Sequence, residues 1–455
     1  MLFGCSVLIS CEDFLEVGSP DYSINTDVVF GSDETAKSAM QGVYNQLAES
    51  SFSSGYTSSV TMLASLSAHE IESILVNDQT YREFEINEIN PQNTGNFYLW
   101  SSAYNIIYMV NGILAGIDGS ENLSPSVVDQ IKGEALFIRA FSYFYLINLY
   151  GDVPLILSTS YEDNATMERI ATSSIYDQIL SDLESSLTLV SLEYNGGERT
   201  HVNRSVVMAF LARVHLFLEN WDEAETYSNE IITSGNYELL DELNNVFLAN
   251  SNEAIWQISP LGRGAISTHT YEGAIFVFHP VIAAITPVQL RESFVQGFNE
   301  QDLRFEDWIG FQSGRDDYYS FKYKIRYSTE PVSEYSMVMR LAEQYLIRSE
   351  ARIMQGNFMG GIADLNRIKE RAGIPVLGSS ISNLNQEDLL MMVLEEREKE
   401  LFTEWGHRWL DLKRKNLASL VLSESNEFWE DTDILFPIPE EERQKNNMLT
   451  QNPGY

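Results

Sequence analysis

Cysteine is almost absent from this sequence. Of its 455 residues only Cys5 and Cys11 are cysteines, and both lie within the first eleven positions. The rest of the chain therefore has no internal disulfide, and its stability must come from packing. Apolar residues make up 44% of the chain, which is enough for a sizeable core.

Basic residues are also scarce. The chain has 29 Lys and Arg against 66 Asp and Glu, which gives a formal net charge of -37. A field of this sign repels phosphate backbones and anionic surfaces, so the composition argues against a nucleic-acid partner. The same field favours a neutral cargo over a polyanionic one, although a local basic pocket could override it for one bound segment.

Long hydrophobic runs are missing as well. The opening MLFGCSVLIS is too short to span a bilayer. Residues 135 to 150 are also too short for a transmembrane helix, and they contain the charged Arg139. We expect Arg139 to pair with an acid inside the fold.

The opening run ends in Leu8-Ile9-Ser10-Cys11, which resembles the cleavage box of a bacterial lipoprotein. In such boxes the cysteine receives a diacylglyceryl group and becomes the mature N-terminus. We expect a signal peptide over residues 1 to 10 and lipidation of Cys11. The alternative is a buried N-terminal strand with incidental cysteines, and the lack of Lys or Arg in the first ten residues is atypical of a signal peptide.

Helical periodicity continues along the chain with no Pro/Gly/Ser-rich linker after residue 20. We expect one domain over residues 11 to 455, with an N-terminal helical part over 11 to 250 and a C-terminal part over 251 to 455. The predicted helices include 31 to 49, 97 to 117 and 131 to 150. Ser32 or Asp33 would cap the first of these, and Gly151 would end the last.

Two later segments predict helical hairpins of the tetratricopeptide type, near residues 206 to 234 and 337 to 370. In each, small and apolar residues recur around a turn of Asn followed by an aromatic residue. Residues 250 to 336 break this pattern, and EAIWQISP, GAIFVFHP and DLRFEDWIGF have the alternation of strands or ordered loops. We expect Trp308 to pack in a strand. The predicted class is mainly α, with tetratricopeptide-like hairpins in an α/α superhelix and a loop-rich, irregular second half.

The C-terminal residues resemble the hallmarks of the SusD/RagB family. Arg340, Ala342, Glu343 and Glu350 match its Arg-x-Ala-Glu helix within 337 to 357, and residues 395 to 416 match its next helix. Residues 435 to 455 carry its Pro-Ile-Pro segment and closing Asn-Pro-Gly-Tyr. Upstream, Asp302-Leu303-Arg304, residues 134 to 154 and the start at Cys11 also match, so the resemblance covers the chain from Cys11 to Tyr455.

This resemblance implies a mainly helical domain built on four tetratricopeptide-like helix pairs, with irregular loops making up the rest. It also implies a lipoprotein anchored in the outer membrane, facing the exterior, that captures a nutrient for a TonB-dependent, SusC-like transporter. The family includes both glycan and peptide binders, so the cargo stays open between the two.

No catalytic or cofactor motif was found. The sequence has no Gly-x-Ser-x-Gly elbow, Walker loop, His-Glu-x-x-His helix or Cys-x-x-Cys pair, so we predict no cofactor, no metal and no catalytic residue. His407 is interpreted as a packing residue. Some acids share a helix face and are attributed to charge pairing with Arg397, Lys399 and Arg408; they are Glu396, Glu400 and Glu404. A glycoside hydrolase is the second hypothesis, and a purely structural surface protein is the third.

Neutral sugars are bound by aromatic rings flanked by planar polar side chains, because a sugar offers apolar C–H faces and a rim of hydroxyls. Two stretches outside the predicted core helices supply this mixture, and we expect them to converge on one exposed, aromatic-lined face. The candidates from residues 69 to 84 are Asn77, Asp78, Gln79, Tyr81 and Arg82, and those from 269 to 319 are Tyr271, Phe278, His279, Tyr318 and Tyr319, beside His269, Arg315, Asp316 and Asp317.

The first stretch is the one that the family resemblance associates with ligand binding. In the starch-binding members this segment is rich in Trp and forms an arc that fits the starch helix. This sequence has no Trp between Leu66 and Leu99, which argues against such an arc. The alternative for every one of these aromatic residues is that it merely packs a loop onto the scaffold.

Overall fold

The computed structural model describes residues 26–75, 77–264, 266–279, 286–378 and 384–455. The proposed signal peptide and Cys11 lie outside the described residues. The helices are α1 Thr26–Val29, α2 Asp33–Glu49, α3 Val60–Ser67, α4 Gln79–Glu85, α5 Thr94–Asp118, α6 Pro125–Tyr150, α7 Tyr161–Asn164, α8 Thr172–Leu189, α9 Arg204–Phe217, α10 Trp221–Thr233, α11 Tyr271–Phe276, α12 Glu292–Val295, α13 Leu303–Trp308, α14 Leu341–Met354, α15 Phe358–Arg371, α16 Gln386–Leu401, α17 His407–Arg414, α18 Ala418–Leu422 and α19 Glu440–Lys445.

The strands are short and form two antiparallel sheets. They are β1 Ile71–Ser73, β2 Ala254–Ile258, β3 Val288–Leu290, β4 Ile309–Gln312, β5 Asp317–Ser320 and β6 Ser336–Arg340. One sheet has the strand order β1-β3-β5-β4, and the other consists of β2 paired with β6. The mainly helical class is confirmed.

The helix boundaries follow the sequence signals. Ser32 caps α2, and its hydroxyl accepts a hydrogen bond from the Thr35 N–H at 3.3 Å. The apolar face of α2 is buried as its spacing predicts. Gly151 ends α6 with a φ of 73°, a left-handed conformation that suits glycine.

The long helices α5 and α6 form the centre of the core. Phe141 of α6 lies 5.1 Å from the rings of both Trp256 and Trp405, so the core joins residues from all parts of the chain. Arg139 is buried and makes two hydrogen bonds of 2.8 Å to Asp182 and one of 3.0 Å to Asn111. The prediction of an internal partner for Arg139 is confirmed.

Both predicted hairpins are present, as α9 with α10 and α14 with α15. The second begins later than predicted, because residues 337 to 340 belong to strand β6. All five residues of β6 are buried, and the strand pairs with β2, from Ala254 against Arg340 to Ile258 against Ser336. The predicted helix from residue 337 was therefore wrong over its first turn, since a strand buried on both faces lacks the alternation that would reveal it.

The predicted helix over 395 to 416 is broken. Helix α16 ends at Leu401 and α17 starts at His407. Between them Thr403, Trp405 and Gly406 have φ values of 51°, 47° and 66°. A continuous helix cannot contain these conformations, so Trp405 lies in the turn and not on a helix face with Trp409.

The strand prediction for residues 250 to 336 is only partly right. EAIWQISP contains β2 as expected, whereas GAIFVFHP continues helix α11 and DLRFEDWIGF contains helix α13 before β4. Trp308 is the last residue of α13 and is fully buried, so it does not lie in a strand. Asp302 and Thr270 cap these two helices with their side chains, and these caps are the local signal that was overlooked.

Candidate ligand-binding cavity

A cavity of about 510 Å³ opens beside the four-stranded sheet. We call it the sheet cavity. It is lined by Tyr56, Thr57, Leu75, Asp78, Tyr81, His269, Ala274, Ile275, His279, Pro287, Arg326 and Tyr327. Both predicted stretches contribute to it, together with two segments that the sequence did not single out.

The sheet brings the two predicted stretches together. Strand β1, from the first stretch, pairs with β3 through Ile71 and Leu290. Strand β3 pairs in turn with β5, where Leu290 lies opposite Tyr318. Segments that are far apart in the sequence therefore converge at one side of the molecule.

Helix α4 holds the polar side of the sheet cavity. Asp78 caps this helix, and its carboxylate accepts a hydrogen bond from the Tyr81 N–H at 3.4 Å. Tyr81 is only 5% exposed. Burial, and then the nearby Asp78 carboxylate, raise the pKa of Tyr81, so its hydroxyl stays protonated and can donate a hydrogen bond.

Two exposed tyrosines stand at the cavity mouth, with the exposed fraction 41% for Tyr56 and 70% for Tyr327. The Tyr56 ring stacks on Tyr271 with centroids 4.6 Å apart and an interplanar angle of 30°. The Tyr327 ring tilts against His269 at 5.2 Å. Each accessible ring is thus backed by a second ring, which restricts its movement and preserves a flat apolar surface.

Polar groups lie behind the Tyr271 and His269 rings. The Arg263 guanidinium lies 4.1 Å from the centre of the Tyr271 ring and also donates to the His269 carbonyl. A Cβ on Gly55, which has a φ of +74°, would overlap the side chain of Glu272. Burial raises the pKa of Glu272 to about 7, and its carboxyl accepts a hydrogen bond from Ser336.

The remaining charged and imidazole groups are few. Arg326 donates to the Val277 carbonyl and to Thr286 Oγ1. Burial lowers the pKa of His269, which keeps that imidazole neutral at pH 7. Asp78 is the one carboxylate among the described lining residues. The cavity can therefore stack rings and exchange hydrogen bonds, but it has little charge to offer.

Among the sequence candidates, Asp78, Tyr81 and His279 line the sheet cavity, as does His269. Tyr271 supports it from behind. The residues that do not line it are Asn77, Gln79, Arg82, Phe278, Tyr318 and Tyr319.

The outlying candidates have contacts of their own. Arg82 bonds to Glu85 at 3.2 Å, and the Tyr318 ring packs 4.9 Å from Phe311. The Phe278 and Tyr319 rings contact each other with centroids 6.2 Å apart, and Phe278 precedes the cavity-lining His279 in the chain. Their role in binding stays a prediction.

Sequence reasoning missed Tyr56, Thr57, Arg326 and Tyr327. A signal existed for Tyr56, because it lies in the Ser- and Gly-rich segment SSFSSGYTSS directly after an amphipathic helix. Tyr327 and Arg326 lie in a stretch treated only as generic loop. The cavity depends on sheet pairings, which a single sequence does not reveal.

The charged hallmark residues Arg304, Arg340 and Glu343 lie elsewhere and are buried. Arg340 makes ion pairs with Glu253 at 2.9 Å, with Glu400 at 2.5 Å and with Glu404 at 2.9 Å. Arg304 binds Asp302, and Glu343 receives two hydrogen bonds from Arg213. We call this set the buried ion network.

The predicted partners of the hallmark acids were wrong. Glu396 pairs with Arg304 at 2.7 Å, and Glu400 pairs with Arg304, Arg340 and Arg371. Arg397 and Arg408 instead pair with Asp411 and Glu398. Long-range packing brings the actual partners to the acids, whereas helical spacing suggested local ones. His407 is buried, and burial lowers its pKa, as suits a packing residue.

No helix in the described part of the chain has the length and hydrophobicity needed to cross a membrane. Within the same residues, no group of three or more His, Cys, Asp or Glu side chains is placed to hold a metal ion.

Comparison with known proteins places these features in a family. A SusD-like family model described as starch-binding and associating with the outer membrane matches residues 13–216, and the model of the SusD family matches residues 309–455. The SusD-like protein P38 of Formosa agariphila is 25% identical over 517 aligned positions, covering 100% of this chain and 98% of that protein.

Solved structures share the fold. A SusD superfamily protein from Bacteroides vulgatus matches with a TM-score of 0.82 at 20% identity, covering 93% of this chain and 99% of that one. Surface glycan-binding protein A from Bacteroides thetaiotaomicron, solved with laminarihexaose, matches with a TM-score of 0.77 at 18% identity, covering 92% and 99%. From the two family models and the shared fold we conclude that this chain belongs to the SusD/RagB family.

Proposed function

We propose that this protein is a surface lipoprotein that binds a neutral glycan in the sheet cavity and delivers it, uncleaved, to a TonB-dependent transporter of the outer membrane. The observation that carries the proposal is the pair of exposed, ring-backed tyrosines, Tyr56 and Tyr327, at the mouth of a cavity with polar walls. Sugar C–H faces stack on such rings, and hydroxyls bond to the side chains behind them.

The polar groups suit hydroxyls better than charged cargo. Asp78 accepts hydrogen bonds, protonated Tyr81 donates one, and the neutral imidazole of His269 can do either according to its tautomer. The overall charge of -37 opposes a polyanionic polysaccharide.

The arrangement of the carboxylates supports binding without cleavage. Glycoside hydrolysis uses two carboxyl groups that face each other across the scissile bond. Asp78 has no second carboxylate opposite it among the described lining residues. The buried Glu272 bonds to Ser336 and lies behind Gly55. A hydrolase is therefore disfavoured.

The membrane role rests on the N-terminal sequence and on the family. The matched family model is described as associating with the outer membrane, and Cys11 follows an apolar run with a small residue before it. Metabolic labelling with a fatty-acid analogue should mark the native protein and spare Cys11→Ser. Equal labelling of both would refute the anchor.

Laminarin is the first ligand to test, because a protein of the same fold has been solved with laminarihexaose. We would titrate the protein calorimetrically with laminarin, soluble starch, galactomannan, alginate and a casein peptide digest. Saturable binding of a neutral polysaccharide, with no release of reducing ends, is the expected result. Binding of the peptides alone would support the alternative of a peptide-uptake protein.

A further inference from the structure

A second cavity, of about 570 Å³, lies between helices α2 and α6 and the segment 191 to 201. A smaller cavity of about 250 Å³ shares Gln41, Tyr44 and His201 with it. The two cavities adjoin at these shared residues, and we call them together the helical groove. The buried ion network does not account for it, and none of its residues belongs to the sheet cavity.

The floor of the helical groove has the ring-and-amide chemistry that neutral sugars require. The Tyr44 and His201 rings meet edge to face at 4.5 Å, and His201 Nε2 lies 3.0 Å from the Gln41 amide oxygen. The Gln130 amide donates to Glu134 at 2.6 Å and to the Val202 carbonyl at 3.2 Å. Planar amides flank an aromatic pair, as they do in a carbohydrate site.

A buried carboxyl group faces the groove. Glu134 is 2% exposed and lines the larger cavity. Burial raises the pKa of Glu134 to about 7, although hydrogen bonds with Gln130 and Tyr44 act in the opposite direction. An acid held partly protonated in this way can donate to or accept from a hydroxyl. Since Glu193 and Glu198 outnumber Lys37 at the rim, anionic sugars would be repelled.

One short segment joins the helical groove to the sheet cavity. Leu261 and Gly262 close the far side of the groove. The next residue, Arg263, stacks on Tyr271, and Tyr271 stacks on Tyr56 at the mouth of the sheet cavity. Leu261 and Tyr56 are both more than a third exposed. Contacting side chains therefore connect the edge of the groove with the mouth of the sheet cavity.

We propose that the helical groove is a second sugar-binding site, which holds the part of a neutral polysaccharide that extends beyond the sheet cavity. This inference rests on the proposed function, and it specifies the ligand as a long chain and not a short oligosaccharide. Engagement of a second site by the same chain raises the affinity without altering the first site, because the second event is intramolecular.

The test compares laminarin with laminarihexaose by calorimetric titration, on the native protein and on Gln41→Ala and His201→Ala. If another neutral polysaccharide binds best in the panel, it and its own hexasaccharide replace them. Gln41 is an exposed residue on α2, so its variant should fold normally even if His201→Ala does not. Gln444→Ala, an exposed glutamine on α19 that also bonds within its helix, is the matched control.

We expect the native protein to bind the polymer at least about tenfold more tightly than the hexasaccharide, per mole of chain, as linked binding predicts. Gln41→Ala should lose most of that difference while its affinity for the hexasaccharide stays unchanged, and Gln444→Ala should behave as native. Equal affinities for the two ligands in the native protein, or an unchanged polymer affinity in Gln41→Ala and His201→Ala, would overturn the second site and leave the proposed function standing. Failure of every neutral glycan to bind would overturn both.

Discussion

The buried ion network and the sheet cavity use polar residues in opposite ways. In the network, the protein's own carboxylates bind each guanidinium group. Arg340, for example, contacts Glu253, Glu400 and Glu404. In the cavity, tyrosine rings and a few hydrogen-bonding groups face outwards. The charged residues that identify the family thus hold the fold together, whereas most of the residues proposed to bind a ligand lie in loops with weak sequence signals.

The sharpest way to break this comparison is to remove one member of the network. Arg340→Ala leaves Glu253, Glu400 and Glu404 buried without their shared partner. We expect the free energy of unfolding to fall by about 3–5 kcal/mol, as is typical when half of a buried ion pair is removed. Urea denaturation measures this loss. Arg367→Ala is the control, because the Arg367–Glu370 pair is exposed and should contribute less than about 1 kcal/mol. Equal effects of the two substitutions would contradict a structural role for the network.

Tyr81 has a feature of each region, because it lines the sheet cavity and is also buried. Tyr81→Ala should lower the free energy of unfolding by about 3 kcal/mol, as truncation of a large buried side chain does. Tyr81→Phe keeps the ring and removes only the hydroxyl, so it should keep most of the stability and weaken ligand binding. Denaturation and titration of both variants separate packing from recognition. Loss of stability without loss of affinity in Tyr81→Phe would remove Tyr81 from the site.

Acid should also weaken a further buried ion pair, in which Glu350 contacts Arg414 at 2.6 Å and Lys415 at 2.8 Å. Burial alone would raise the pKa of Glu350, but Arg414 and Lys415 overcome this effect and lower the pKa to about 2. Since this folded-state pKa lies below the ordinary value of 4.5, the contribution of Glu350 is complete above pH 4.5 and is lost as the pH falls towards 2. Denaturation midpoints measured across this window should fall steeply for the native protein and less steeply for Glu350→Gln. Parallel slopes would contradict the assignment.

The sequence predicted the long helices well, because their apolar spacing is a local property. It could not predict β6, which is buried on both faces and depends on its pairing with β2. It also missed the turn between α16 and α17, where Thr403 and Trp405 adopt left-handed conformations that their residue types do not favour. The proposed boundary at residue 250 stays a prediction.

The candidate site was less predictable than the fold. The two distant stretches do meet, through the pairing of β1 with β3 and of β3 with β5, whereas the binding role of their residues stays a prediction. Tyr56 and Tyr327 were missed because only tertiary packing makes each of them part of a cavity. Tyr81 was taken to be exposed, whereas it is buried in helix α4.

The central claim is that Tyr56 and Tyr327 bind sugar, and one comparison tests it most directly. Tyr56→Ala and Tyr327→Ala would be titrated against the best neutral polysaccharide, beside Tyr161→Ala, in which a tyrosine of 84% exposure away from the cavity is removed. We expect each cavity variant to lose roughly tenfold in affinity, about 1.4 kcal/mol, with its melting temperature nearly unchanged. Tyr161→Ala should bind as the native protein does. If all three variants bind as tightly as the native protein, the sheet cavity is not the glycan site.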